Sequence, residues 1–61
     1  MKMHIFTLDN EKQEQVAINP ERVDLVAKDE TGESTIIYVH GTTVRVKESL
    51  REVHERLTAG G

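Results

Sequence analysis

The 61-residue chain has no cysteine, no tryptophan and one proline, and its only aromatic residues are Phe6 and Tyr38. Without cysteine, neither a disulfide nor a thiolate zinc site can staple the fold. Two aromatics cannot build the stacking platform that single-stranded nucleic acid requires. No apolar run approaches the ~20 residues of a membrane-spanning helix. The apolar part of "MKMHIFTLDN" is too short and broken for a secretory leader. Nor does one sign of charge dominate. Eight Lys and Arg against eleven Asp and Glu leave a net charge of −3, which opposes generic binding to nucleic acid or anionic lipid.

Catalytic signatures are missing as well. The chain has no Gly-x-Ser-x-Gly, no P-loop and no Gly-x-Gly-x-x-Gly. His4, His40 and His54 fall on a strand, a turn and a helix, without the spacing of metal ligands. The expectation is therefore a protein that is not an enzyme, with no catalytic residue, cofactor, metal or small-molecule substrate. Residues 1–61 form a single domain, and one this small buries only about 60% of the surface its unfolded chain exposes. Oligomerisation is the expected remedy. Absence of cysteine fits a cytoplasmic location.

What is present reads as α+β, a small antiparallel meander sheet of four to five strands with one C-terminal helix on one face. Strands are expected at about 3–8, 13–18, 23–28, 34–39 and 42–46. "MHIFTL" reads as a strand buried on both faces or lying against a neighbour. "QEQVAI" begins exposed and ends in the core through Val16 and Ile18. Asn19 caps a single turn with Pro20 in first place, where a missing N–H is harmless. "VDLVAK" sets Val23, Leu25 and Ala27 against Asp24, Val26 and Lys28. Gly32 is the expected positive-φ residue of the next loop.

In "STIIYVHGTTVRV" two β-branched runs flank His40-Gly41, a two-residue hairpin turn. That turn pairs Val39 with Thr42, Ile37 with Val44 and Thr35 with Val46 on one face. Tyr38 with Thr43 and Ile36 with Arg45 share the other.

The helix spans about 49–58. Ser49 and Glu52 form a capping box. Leu50, Val53 and Leu57 make one apolar stripe. Glu52–Arg56 and, more weakly, Arg51–Glu55 are i,i+4 ion pairs. So short a helix needs docking, and the face with Ile37, Val44 and Val46 is the natural site. The opposite face, carrying Ile36, Tyr38, Thr43 and Arg45, is then the candidate interface, covered by the N-terminal strands or by another subunit. Self-association or a protein partner at this face or at the hairpin edge is the favoured function.

The competing reading takes Lys47 and Arg51 as phosphate contacts, within a basic cluster that includes Arg45 and Arg56. Glu48, Glu52 and Glu55 interleave with that cluster. A third reading makes Gly60-Gly61 a modifier tail, but glycine after a helix already has a structural cause.

From "IFTLDNEK" through "INPERVDLV" and "STIIYVHG" to "VRVKESLREV", residues 5–57 resemble the FlbD/SwrD family of short bacterial flagellar and swarming-motility proteins. The resemblance implies a link to motility and carries no catalytic residue. Glu11 departs from it, since that family usually has a turn glycine there, which implies a looser first hairpin. "NPERVDLV…SLREVHERL" also resembles the first half of a LytTR-type DNA-binding domain, whose DNA-contacting second half has no counterpart here.

Overall fold

A computed structural model describes residues 3–59. The Gly60-Gly61 pair lies outside the described residues, and with it the modifier reading. Five strands and a helix follow in the order β1 (His4–Thr7), β2 (Gln15–Ile18), β3 (Val23–Lys28), β4 (Thr35–Val39), β5 (Thr42–Val46) and α1 (Leu50–Thr58). A 3-10 turn, Pro20–Arg22, separates β2 from β3. The fold is α+β, with each strand within about two residues of its expected bounds.

The His40-Gly41 turn forms as the sequence implies. Both residues take positive φ, 47° and 86°, the left-handed pair that a tight hairpin with right-twisted strands needs. The β4–β5 register follows, pairing Thr35 with Val46, Ile37 with Val44 and Val39 with Thr42. Gly32 takes a φ of 78° in the preceding loop. Ser49 caps α1, its side chain accepting the Glu52 N–H at 3.1 Å. Asn19 caps the 3-10 turn by accepting the Glu21 N–H at 3.0 Å.

The single meander sheet is not what forms. The strands divide into a two-stranded sheet, β1–β2, and a three-stranded sheet, β3–β4–β5. The 3-10 turn breaks extended pairing between β2 and β3, because its own capping bonds redirect the chain. The two sheets are stitched elsewhere. Leu8 bridges Val46, the Asp9 N–H donates to the Arg45 carbonyl at 3.0 Å, and the Lys47 N–H donates to the Thr7 carbonyl at 2.9 Å.

Of the two readings of β1, the strand lying against a neighbour is the one that forms: it pairs with β2, Phe6 is fully buried and Ile5 is 55% exposed, because only helix and sheet on one side cover the hairpin. One further expectation changes. In β3 a bulge between Val23 and Leu25 interrupts the alternation. An extra residue shifts the side-chain phase, so Val23 and Val26 both pack against the core while Leu25 is exposed.

The core is Phe6, Ile18, Ile37, Val46 and Val53, one residue from every element except β3. Each such side chain, fully buried, contributes about 1.5–3 kcal/mol. Val53 is the buried member of the helix stripe, flanked by half-buried Leu50 and Leu57. Beside it Glu48 joins the layers. Its carboxylate accepts the Thr7 N–H at 3.0 and 3.1 Å, and its carbonyl accepts the buried Thr35 hydroxyl at 2.7 Å. Glu52–Arg56 forms as an ion pair. Arg51–Glu55 does not appear among the ion pairs of the described residues, in keeping with how little an exposed, screened pair gains.

Candidate interaction face

The helix and the β1–β2 hairpin lie on the same side of the three-stranded sheet, where Ile37 and Val46 meet Phe6, Ile18 and Val53. The N-terminal strands thus complete the covered side and leave the other side open. Period-two alternation assigns the outward residues. Ladder partners Leu25, Tyr38 and Thr43 form one cross-strand row, and Ala27, Ile36 and Arg45 form the next. All four candidate residues, Ile36, Tyr38, Thr43 and Arg45, therefore share one face.

That face is apolar towards β3 and charged towards β5. Leu25 is 52% and Tyr38 37% exposed, and Ile36 and Ala27 are half-buried between their neighbours. At the corner, Arg45 donates to Asp29. The other Asp29 oxygen accepts the Thr31 hydroxyl at 2.9 Å and the Gly32 N–H at 2.7 Å. Partial desolvation opposes ionisation of Asp29. Hydrogen bonds from Thr31, Ser34 and Gly32, with the Arg45 charge, outweigh it and hold the carboxyl below its ordinary 3.8. The loop is also fastened to the first hairpin, because the buried Ser34 hydroxyl donates to Asp9. Arg45 is therefore held in place by a ligated carboxylate.

Leu25 belongs to this face and was not among the residues expected there. Its alternation with Ala27 was a usable signal. The β3–β4 register, which sets Leu25 beside Tyr38, was not readable because the loop between them gives no fixed turn length.

The basic side chains do not converge on one surface. Arg45 sits on the outer face, bound to Asp29. Arg51 lines a shallow depression with Val26, Lys28, Leu50 and His54 on the covered side. Arg56 lies over β1, paired with Glu48 at 3.9 Å and with Glu52. Lys47 is exposed next to the seam between the sheets. Lys47 and Arg51 share no described cavity or contact.

A cleft runs between the β1–β2 hairpin and the β4–β5 turn. Val16, Ile18, Val39 and Val44 line it, together with Arg22 and His40. No carboxylate is among the described residues that line it. Among the described residues no group of three or more His, Asp or Glu gathers as a metal-binding cluster, and no helix is long and apolar enough to cross a membrane. Compared with protein-family models, curated proteins and solved structures, the chain matches none.

Proposed function

We propose that this protein is a non-catalytic interaction module that self-associates through the outer face of its three-stranded sheet. The observation that carries this reading is the one-sided cover of that sheet. Helix and hairpin occupy one side, and on the other Leu25 and Tyr38 stand exposed with half-buried Ile36 beside them. Tyr and Arg concentrate binding energy at interfaces. Tyr38 supplies a broad apolar surface with a polar tip, and Arg45 is already ordered by Asp29. A chain of this length gains most from burying such a patch against a copy of itself. The resemblance to short flagellar and swarming proteins suggests a motility system in the cytoplasm as the setting.

The test is Ile36→Asp, which sets a carboxylate among apolar neighbours on that face. Sedimentation should show a drop in oligomeric mass with the circular dichroism spectrum retained. An unchanged mass would remove this face from consideration.

A further inference from the structure

The three-stranded sheet has two edges, and they are treated differently. The β5 edge is occupied, because Arg45 and Lys47 exchange backbone hydrogen bonds with Thr7–Asp9. The β3 edge has no such neighbour among the described residues.

Which β3 groups face outward follows from the hairpin. A two-residue turn makes Val39–Thr42 a hydrogen-bonded pair, so Val39, Ile37 and Thr35 bond to β5. Ile36 and Tyr38 then turn their backbone groups to β3 and meet Ala27 and Leu25. The Asp29 N–H, donating to the Ser34 carbonyl at 3.0 Å, keeps the same phase. Val26 and Lys28 are left with N–H and C=O directed away from the sheet. Edges of this kind recruit another strand unless charge or cover prevents it.

We infer that β3 pairs antiparallel with β3 of a second copy about a twofold axis at Val26, joining two three-stranded sheets into one of six. The register is self-consistent. A twofold at Val26 makes Val26–Val26 a hydrogen-bonded pair and brings Asp24, the bulge residue at the end of the regular window, towards Lys28 of the other copy. The outward phase of Val26 and Lys28 is met by this pattern.

Charge selects the same register. Asp24 and Lys28 are both exposed, and the twofold brings unlike signs together at both ends. The depression beside Lys28 also holds Arg51 and His54, so the acidic group arrives next to basic side chains. Shifting the axis by one residue, to Ala27, would keep the backbone groups in phase but set Lys28 opposite Val26 and lose the pairing of unlike charges. The bulge at Asp24 lies at the end of this window and leaves Leu25–Lys28 regular. On the outer face the Leu25–Tyr38 row of each copy continues into the Ala27–Ile36 row of the other.

This edge contact is separate from the face contact proposed above and does not depend on it. The experiment is therefore run in the Ile36→Asp background, where the face is disabled. Sedimentation equilibrium at micromolar to hundred-micromolar concentration should find a dimer that dissociates more readily as salt is raised. Adding Lys28→Asp, which opposes two like-charge pairs, should weaken dimerisation by about tenfold or more. Adding Asp24→Lys to that variant restores opposite charges and should bring the dimer back. Each change is on an exposed side chain, and circular dichroism checks the fold. A monomeric Ile36→Asp protein, or a dimer unmoved by Lys28→Asp, would overturn edge pairing. If Ile36→Asp leaves the wild-type mass unchanged but Lys28→Asp lowers it, the face reading fails and the edge reading stands.

Discussion

The Arg56 guanidinium lies 5.5 Å from the centroid of the Phe6 ring. The same group donates to the Ile5 carbonyl at 2.8 Å and pairs with Glu52 and Glu48. One side chain from the last turn of the helix thus shields the largest core residue from water and binds the strand that carries it. Arg56→Ala should cost about 1–2 kcal/mol, from the cation–π contact, the charge-assisted bond and the lost apolar cover. Arg56→Lys should recover only part, because an ammonium cannot serve ring, carbonyl and carboxylate in one plane. Urea unfolding midpoints of the three proteins measure this ranking.

Removing Glu48 should be felt in β1. Its carboxylate satisfies the Thr7 N–H, so Glu48→Ala leaves a part-buried donor without its partner, at about 1–3 kcal/mol. Glu48→Gln keeps a carbonyl acceptor and should fall between. Hydrogen exchange of the Thr7 amide should accelerate in Glu48→Ala beyond the change at Val53, if the loss is local to the strand.

Gln13 has a φ of 51° and donates its N–H to the Asn10 carbonyl at 3.1 Å, closing the first hairpin. A non-glycine side chain is disfavoured in that region. Gln13→Gly should therefore raise stability by roughly 0.5–1 kcal/mol, read as a higher thermal midpoint. A fall would show that the Gln13 side chain makes a compensating contribution.

Asp29 sets an acid limb. Its folded-state carboxyl titrates below its ordinary 3.8. The stabilisation is therefore complete above the unfolded value and is lost as pH falls through the lower, folded value. Thermal midpoints taken through this window should decline in the wild type. The decline should be shallower in Asp29→Asn, which has no proton to take up. Equal slopes would assign the acid limb to other carboxylates.

Much of the architecture was legible in the sequence, for local reasons. His40-Gly41 has the length and the glycine of a tight turn, so the pairing of Ile36 with Arg45 and Tyr38 with Thr43 could be read directly. Ser49, Glu52 and the Leu50–Val53–Leu57 spacing define the helix within about one residue. Long-range arrangement was less legible. Nothing local says that Leu8 meets Val46, since that bridge joins segments held apart by the whole sheet. The bulge at Asp24 was hidden because "VDLVAK" alternates acceptably without it. Glu11 drew attention to the first turn, but the positive φ falls at Gln13, where glutamine gives no warning. The candidate face came from the hairpin register, and Leu25 escaped because it depends on a third strand.

The seam between the sheets also sets an order of events during synthesis. The β4–β5 hairpin and α1 are built from short-range contacts, and such contacts form fastest. The β1–β2 hairpin leaves the ribosome before the residues that bury Phe6 and bridge Leu8 are translated. Val46 and Val53 must clear the exit tunnel before the N-terminal hairpin has anything to close upon. Until then Phe6 and Ile18 are borne by an isolated two-stranded ribbon, which is marginal in water. The core is therefore completed only after α1 has emerged, with the β1–β2 hairpin settling after the hairpin and helix that follow it.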